Sequence, residues 1–556
     1  MTISRLERTL LLSAVVGIAL ASLWPLLYSG YYSDDLVNST IRGSVHLEGS
    51  TLWRHMYEAV RLWLVDQGRV ASVALLATLP ISYFLTDQLA HKSAVLFLVG
   101  VDLLLFFTLL RLLAKDFNVA CLGLLFLAAC FQFRLYHDPF LSFSGLMQTF
   151  TAITLVAAIA FLKYLETAKS RYLWLSFIAY NLTLYFYEIS LALAVVFPIL
   201  ALEKINWFAL RQALRKSAPH LISAGVAALI NVLASRLRDP AATEYQGTSA
   251  NLQPGAIAVT LAEQLVASFP LSYALFDPAN LLRQLRWTEA HAASLLIAFA
   301  FAALCWRMAQ RVAAQPTWRL PALGLALLVF PALPIALSGK YQAELEPGIG
   351  YIPVYLQYFG LTLIALFIWL SIQQRLSGKG GRVARFVLCA LLAVACLRNV
   401  ENNRAVVAQA NIELHFRYAA LATALDDGLL ATVPENAVIV VLDEYRYQGR
   451  PWVKSHLRGW ADGYPWKSAA FVFQHSGRRF KVVDKLDDLD RQRTGQPISE
   501  GSSPKIYTVR IHSYPQEQRR ADGYVVLSRV DSFGRDASGA LELRESVLAR
   551  SAPLKQ

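Results

Sequence analysis

The chain has 556 residues, of which 56% are hydrophobic and 16% are charged, and its formal net charge at pH 7 is +13. Apolar residues gathered in runs of about 20 exclude an ordinary soluble enzyme and indicate a polytopic membrane protein. The last 157 residues contain 22 basic and 19 acidic side chains. The excess positive charge therefore lies in loops of the apolar part, where it orients helices and contacts anionic lipid rather than nucleic acid.

Twelve apolar runs follow one another in the first 400 residues. They lie at about 9–28, 70–90, 93–112, 118–134, 149–165, 172–187, 188–202, 218–235, 289–306, 320–338, 352–372 and 384–398. Arg5 and Arg8 precede the first run, and no small-residue cleavage site follows it, which predicts a retained span and not a signal peptide. The stretch 172–202 is short for two crossings, because each crossing needs about 20 residues.

Basic residues between the runs set the predicted orientation. If the N-terminus is cytoplasmic and all twelve runs cross, five later basic clusters lie outside, against the positive-inside rule. The clusters are Arg111/Lys115, Lys163/Lys169/Arg171, Lys204/Arg211/Arg215/Lys216, Arg307/Arg311/Arg319 and Arg375/Lys379/Arg382/Arg385. Leaving out run 70–90 as a crossing places all five clusters in the cytoplasm, and its Pro80 and Asp87 suit a segment in the outer interface. We therefore predict about eleven transmembrane helices.

This orientation puts the polar chemistry outside the cytoplasm. Residues 1–400 form the predicted transmembrane module and residues 401–556 a small soluble α/β or α+β domain. The outer loops are 29–92, 135–148, 236–288 and 339–351. The tail begins with an amphipathic helix from about Arg404 to Leu430. Strand-like runs follow at 437–443, 479–484, 505–512 and 523–530. All five cysteines lie in apolar runs, so the tail has none to form a disulfide.

The first outer loop opens with an acidic pair, Asp34 and Asp35, a few residues beyond the first apolar run. Apolar side chains further on recur at helical spacing with charged side chains on the opposite face, which predicts a helix lying on the membrane surface. The apolar set is Trp53, Met56, Tyr57, Val60 and Leu64, and the charged set is Arg54, Glu58 and Arg61. The loop ends in a Gly-Arg pair, Gly68 and Arg69.

These features resemble the GT-C glycosyltransferases, polytopic enzymes that take sugar from a polyprenyl-phosphate carrier on the outer side of the membrane. The shared features are a first span leading into a large loop, an acidic pair soon after the membrane, surface helices, a Gly-Arg pair and a closing soluble domain. Within that superfamily the chain looks most like bacterial glucosyltransferases that modify O-antigen, a part of lipopolysaccharide, or related surface glycans.

The resemblance implies roles for the acidic pair. Asp34 would be the general base that takes the proton of the acceptor hydroxyl, with Asp35 as a neighbour that raises its pKa or helps to hold a divalent ion. The alternative is that both residues cap the helix beginning at LVNSTIR, because acidic residues favour helix N-termini. The two interpretations are compatible.

Three further polar residues stand in predicted outer regions. Glu188 lies in a strongly apolar stretch, where an ionisable residue indicates function. The alternative is an internal hydrogen bond to Tyr185 or Tyr187. His137 and Asp138 lie in the loop 135–148. The resemblance implies that an acid there contacts acceptor or metal, while the alternative is a turn in which Asp138 bonds its own backbone.

A lipid-phosphate leaving group needs cations on the outer side. The candidates are Arg69, Arg236, Arg238, Arg283, Arg286 and Lys340. Arg69 and Lys340 are the first choices for binding phosphate, and any single cation is also an ordinary interface anchor. Tyr341, beside Lys340, either stacks on sugar or belongs to an interfacial belt of tyrosines.

The sequence contains no Walker A loop, no dinucleotide fingerprint and no His/Cys cluster at zinc spacing, which argues against ATP, nicotinamide or zinc. The sequence is compatible with one cofactor, a divalent cation (Mg, Mn or Ca) bound by Asp34, Asp35 and Asp138. Expected partners are a polyprenyl-phosphate-sugar donor, an envelope glycan or lipid acceptor and membrane lipids, without nucleic acid.

The expected protein is a hexosyl- or pentosyltransferase of the bacterial inner membrane, with a cytoplasmic N-terminus and a periplasmic C-terminal domain. One alternative is a transporter or flippase for a lipid-linked glycan, which should carry carboxylates near the bilayer midplane. The others are an O-antigen polymerase or ligase and a non-catalytic envelope assembly protein.

Overall fold

The computed structural model describes residues 4–237, 247, 249–276, 291–376, 378–435, 437–443, 465–483, 489, 505–515, 521–535 and 541–555. The chain divides into two compact units. The first contains Met1–Tyr28, Tyr57–Thr78 and Lys92–Val406, and the second contains Ser29–Met56, Leu79–His91 and Val407–Gln556. The last division lies close to the predicted boundary at residue 400, but the second unit also takes in two segments of the predicted first outer loop.

The first unit is built from helices. Those of the described residues, with the four that extend across a unit boundary, are Arg5–Ala21, Trp24–Tyr28, Leu52–Arg61, Leu62–Asp66, Val73–Phe84, Gln88–Ala114, Phe117–Cys130, Leu146–Thr167, Ser170–Leu184, Glu188–Val195, Val196–Ala201, Trp207–Leu237, Pro254–Ala267, Tyr273–Phe276, Ala292–Ala309, Arg319–Val329, Ala332–Leu337, Gly339–Glu344, Val354–Arg375 and Gly378–Ala410. The four shared helices are Leu52–Arg61, Val73–Phe84, Gln88–Ala114 and Gly378–Ala410.

Seven helices among the described residues are long and apolar enough to cross a membrane, so the chain is a multi-pass membrane protein. They are Gln88–Ala114, Leu146–Thr167, Trp207–Leu237, Ala292–Ala309, Arg319–Leu337, Val354–Arg375 and the helical run Gly378–Asp426. Shorter apolar helices are Val73–Phe84, Phe117–Cys130, Glu188–Ala201 and Pro254–Ala267. The predicted count of eleven spans includes crossings beyond these seven and stays a prediction.

Two of the short helical regions bear on that count. Val73–Phe84 has 12 residues, so it is about 18 Å long and cannot alone cross a hydrocarbon core of about 30 Å. This is the run that charge placement excludes as a crossing. The stretch 172–202 is broken into Ser170–Leu184, a 3₁₀ segment Glu188–Val195 and Val196–Ala201.

The predicted surface helix is present as Leu52–Arg61, but its apolar side chains point in two directions. Leu52 and Met56 are buried, while Trp53 and Tyr57 are exposed. The predicted single apolar face therefore divides between protein contact and a surface where aromatic side chains suit a membrane interface.

The second unit contains a mixed sheet. Its strands are β1 (Val438–Asp443), β2 (Lys481–Val483), β3 (Ile506–Pro515), β4 (Ala521–Arg535), β5 (Leu541–Arg550) and β6 (Leu554–Lys555). The strand order is β2-β1-β3-β4-β5, with β6 paired to β4. β1 runs parallel to β2 and β3, and β4 is antiparallel to β3, β5 and β6. This agrees with the predicted α/β or α+β class.

The helices of the second unit are Asp34–Ser39, Ile41–Leu47, a π-helical turn Asn411–His415, Phe416–Asp426 and Pro465–Ser476. Leu421 and Leu425 pack in one core cluster with Ile439 and Val441 of β1. On the other face of β1, Val438 and Val440 form a second core cluster with Val483 of β2 and with Leu489. Burial of both faces explains why the strand reads as a continuous apolar run rather than an alternating one.

Candidate functional site

The acidic pair begins the helix Asp34–Ser39, directly after Ser33. Asp34 is exposed, whereas Asp35 is fully buried. Both carboxylates occupy the first turn, where the helix dipole favours negative charge. The N-cap itself is Ser33, which makes no side-chain cap hydrogen bond, so the two carboxylates follow the cap in the first turn. The roles of Asp34 and Asp35 stay predictions.

The backbone just before the pair is held by side chains of the π-helical turn. The Gly30 N–H donates to Asn411 Oδ1 at 2.8 Å and the Tyr32 hydroxyl donates to the same oxygen at 2.5 Å. The Tyr31 N–H donates to His415 Nδ1 at 3.3 Å. A Cβ at Gly30 would stand 2.2 Å from His415 Cγ, so only glycine permits this approach.

Tyr31 connects the acidic segment to a third part of the second unit. Its hydroxyl donates to the Thr86 carbonyl at 2.9 Å, and its ring meets His91 edge to face at 5.3 Å. Burial, with the neighbouring carboxylates of Asp35 and Asp87, raises the pKa of Tyr31 well above its usual value. The phenol therefore stays protonated and keeps its donor role.

Three residues of this cluster were missed by sequence reasoning: His91, Asn411 and His415. His91 directly follows the run 70–90 assigned to the outer interface, and the other two lie within the predicted amphipathic helix. A π-helical turn has no clear sequence pattern, although such turns are frequent at functional sites.

In the first unit, Arg69 and Glu188 form an ion pair. Arg69 Nε donates to Glu188 Oε1 at 3.1 Å. The Arg69 guanidinium also lies 4.3 Å from the Trp63 ring centroid. Two residues predicted to be functional are thus brought together, and Glu188 bonds Arg69 in place of the tyrosines considered as alternatives.

Gly68 fixes the chain direction just before Arg69. Its φ is +66°, a conformation that L side chains rarely adopt. A Cβ there would lie 2.7 Å from the Ala234 carbonyl oxygen. Backbone geometry therefore requires the glycine of the Gly-Arg pair.

Residues 131–144 form a loop that is almost entirely buried, and Asp138 organises it. Asp138 Oδ2 accepts from the Arg134 N–H at 2.7 Å, and Oδ1 accepts from the N–H groups of Phe140 and Leu141, both at 2.8 Å. Burial raises the pKa of Asp138 to about 6, against the lowering effects of Arg134 and these N–H donors. These contacts match the alternative in which Asp138 bonds its own backbone, and a role in substrate or metal binding stays a prediction.

Arg134 is fully buried inside the same loop. Its Nη1 donates to the Tyr358 hydroxyl at 2.7 Å, and its Nη2 donates to the Ala267 carbonyl at 2.5 Å. Ala267 ends the helix Pro254–Ala267, whose carboxyl end favours a cation. Arg134 is therefore explained by structure, as the residue that ties the loop to this helix.

His137, Lys340 and Tyr341 come together through Tyr351. The His137 ring lies 5.1 Å from the Tyr351 ring, which lies 4.2 Å from the Tyr341 ring. Lys340 Nζ stands 5.5 Å from the Tyr341 ring centroid, and His137 Nε2 lies 3.6 Å from Glu344 Oε2. The group combines aromatic faces with a cation, which suits contact with a sugar or a phosphate.

The remaining predicted residues either belong to different units or lie outside the described residues. Asp34 and Asp35 belong to the second unit and Asp138 to the first, so a metal site made of all three stays a prediction. Within the described ranges, no group of three or more His, Cys, Asp or Glu side chains is placed to hold a metal ion. Arg236 is exposed. Arg238, Arg283 and Arg286 lie outside the described residues.

A buried carboxylate within a candidate span was also missed. Asp102 is fully buried in Gln88–Ala114, and the Tyr355 hydroxyl donates to its Oδ2 at 2.7 Å. In the part of the chain that the structure describes, Asp102 Oδ1 has no hydrogen-bond partner. The available signal was a lone aspartate inside the apolar run 93–112.

No protein-family model matches the sequence, and no curated protein is significantly similar to it. Two solved structures similar to this chain are both of the Archaeoglobus fulgidus oligosaccharyltransferase. One is tethered through a disulfide bond to an acceptor peptide containing the NVT sequon, and aligns at a TM-score of 0.38 with 12% identity over 85% of this chain and 64% of that chain. The other is a complex with Zn and sulfate, and aligns at 0.36 with 13% identity over 85% and 62%. The chain spans less than two thirds of the length of each of these structures.

Proposed function

We propose that this protein is a GT-C-type membrane glycosyltransferase. It transfers a sugar from a polyprenyl-phosphate donor to an envelope glycan or lipid acceptor on the periplasmic side of the bacterial inner membrane. The observation that carries the proposal is the state of the acidic pair: Asp34 is exposed beside a fully buried Asp35. Several hydrogen bonds fix the backbone leading into it. A carboxylate held in this way can accept a proton in a defined geometry.

The proposed reaction is a substitution at the anomeric carbon. An acceptor hydroxyl gives its proton to Asp34 and its oxygen attacks the anomeric carbon. The bond from that carbon to the phosphate oxygen breaks, and the polyprenyl phosphate leaves with the electron pair. Arg69 and Lys340 are proposed to stabilise the developing phosphate charge. Positioning and charge stabilisation would supply most of the rate.

The test is Asp34→Asn, which keeps the size of the side chain and removes the base. We expect this variant to abolish transfer while expression and membrane insertion stay unchanged. Mass analysis of the envelope glycan, with and without the protein, identifies the sugar from the mass that is lost. Glu48→Gln is the matched control, because Glu48 is an exposed carboxylate in the same loop. Wild-type glycan in a strain complemented with Asp34→Asn would refute the proposal.

One observation favours a second candidate, a transporter for a lipid-linked glycan. Buried carboxylates in membrane spans often mark transport pathways, and Asp102 is such a residue. Vesicles containing the purified protein and the radiolabelled polyprenyl-phosphate form of the identified sugar separate the two cases. A transporter moves the label across the membrane without consuming it, whereas a transferase releases polyprenyl phosphate.

A further inference from the structure

We propose that Asn411 and His415 are positioning residues for the acidic pair, so that the C-terminal tail completes the catalytic loop. The inference rests on the proposed role of Asp34. It assigns a function to the start of the tail that neither the charge pattern nor the GT-C resemblance provides.

The first step concerns Asn411. One side-chain oxygen accepts two hydrogen bonds from the acidic segment, from the Gly30 N–H and from the Tyr32 hydroxyl. The Tyr32 hydroxyl also accepts from the Gly30 N–H at 3.0 Å. Gly30, Tyr32 and Asn411 therefore form a closed hydrogen-bonded ring that fixes the segment at two points.

The second step concerns His415. Its Nδ1 accepts from the Tyr31 N–H, so this nitrogen carries no proton and the neutral ring has its N–H at Nε2. The ring lies against Gly30 so closely that no side chain fits at that position. Asn411 and His415 together hold three consecutive residues, Gly30 to Tyr32.

The π-helical turn explains how both side chains reach the same segment. Asn411 and His415 are its first and last residues. Residues four apart share one face of an α-helix, and the wider π-turn changes their spacing locally. The turn costs regular helix hydrogen bonding, and the contacts with the acidic segment compensate for that cost.

The third step connects the held segment to the carboxylates. Ser33 has φ +49°, a strained conformation for a residue with a side chain, which persists only where its surroundings fix it. The Asp35 N–H donates to the Tyr32 carbonyl at 3.0 Å, and the Leu36 N–H donates to the Ser33 carbonyl at 3.1 Å. A shift at Tyr32 is therefore transmitted to Asp34 through Ser33 alone, and a shift at Tyr31 through Tyr32 and Ser33.

The consequence is kinetic. Misplacing a reacting group by about 1 Å can lower the rate about 100-fold. Loss of either holding residue should lower kcat by between about 10-fold and 100-fold. It should leave KM for the donor unchanged, because neither Asn411 nor His415 is proposed to touch the donor.

The test uses full-length protein in native membrane vesicles that carry the endogenous acceptor. The probe is the radiolabelled polyprenyl-phosphate form of the sugar identified by glycan mass analysis. The test variants are Asn411→Ala and His415→Leu. His415→Asn is the rescue variant, because an asparagine oxygen takes the place of Nδ1 as acceptor. Gln409→Ala is the control, since Gln409 bonds Glu413 on the same helix at 2.9 Å and makes no hydrogen bond to residues 30–32 in the described structure.

We expect reduced kcat in Asn411→Ala and His415→Leu, rates near wild type in His415→Asn and Gln409→Ala, and unfolding midpoints well above the assay temperature for all four. Wild-type kcat in both test variants would overturn the inference. So would a loss that His415→Asn does not restore, or one in which the variant is already unfolded at the assay temperature. Activity in Asp34→Asn contradicts the proposed function itself, whereas an inactive Asp34→Asn with unimpaired Asn411→Ala and His415→Leu contradicts only the positioning role.

Discussion

Removing the ion pair between Arg69 and Glu188 should reveal a coupling free energy of about 2 kcal/mol. The charged atoms lie 3.1 Å apart. At an effective dielectric constant of about 20, Coulomb's law gives about 5 kcal/mol for two unit charges at this separation. The side chains are 10% and 26% exposed, so desolvation and partial screening reduce the net value toward the roughly 2 kcal/mol typical of hydrogen bonds to charged groups.

The assay is a double-mutant cycle on the free energy of unfolding of the detergent-solubilised full chain. Arg69→Ala alone also removes the contact with Trp63, so only the cycle through Glu188→Ala and the double variant isolates the pair. The control is Arg236→Ala, an exposed arginine that should change stability by less than about 0.5 kcal/mol.

A coupling below about 0.5 kcal/mol would refute the pairing of Arg69 with Glu188. A full coupling has a functional consequence as well, because an arginine already held by a carboxylate keeps its orientation before the donor arrives. In that case Arg69→Ala should raise KM for the donor, since the cation itself is lost. Glu188→Ala should raise KM for the donor by less, because the Arg69 cation loses the carboxylate that orients it but is still present.

Two further predictions concern stability. Burial raises the pKa of Asp138 to about 6 from a usual 3.8. The protonated side chain therefore stabilises the folded state fully below about pH 4, and this stabilisation is lost as pH rises through 6. Unfolding midpoints from pH 4 to 7 should fall relative to Asp138→Asn by the equivalent of about 3 kcal/mol, and parallel curves would contradict this. Gly43→Ala should destabilise the second unit by about 1–3 kcal/mol, because the new Cβ would lie 2.2 Å from the Ala470 carbonyl oxygen. Circular dichroism melts would show this against Gly225→Ala, whose Cβ meets open space, and equal losses in the two variants would count against it.

The strands of the tail show what a local pattern can predict. The runs at 437–443, 479–484, 505–512 and 523–530 correspond to β1 to β4, because β-branched residues bounded by turn residues are a local signal. β5 was missed, since LELRESVLAR alternates charged and apolar residues and reads equally well as an exposed helix face. Its strand state is determined by pairing with β4, a contact that local sequence does not contain.

The same limit applies to the candidate site. Asp34, Arg69 and Glu188 were found because charges beside apolar runs are rare and visible. Arg69 and Glu188 are separated by 119 positions in the sequence, and no local pattern encodes their pairing. The exposure of Asp34 and the burial of Asp35 were likewise not predictable from two adjacent identical residues.

Asparagines in the helical run 378–426 explain more of the site than its amphipathic pattern does. Asparagine is a poor residue for a helix interior, at up to about 0.7 kcal/mol less favourable than alanine. In the first unit, Asn399 Nδ2 donates to the Ala129 carbonyl at 2.7 Å, and Asn403 Oδ1 accepts from the Phe133 N–H at 2.6 Å. These contacts satisfy irregular backbone at the entry to the buried loop.

In the second unit, Asn411 performs the same task for the segment before the acidic pair. In both units an asparagine amide offsets its poor helix propensity by bonding backbone groups outside regular secondary structure. Such groups are destabilising when they are buried without hydrogen-bond partners. An asparagine cluster in an otherwise amphipathic helix is therefore a sequence signal for an adjoining irregular segment. Here that signal would have pointed to Asn411 from the sequence alone, but not to His415.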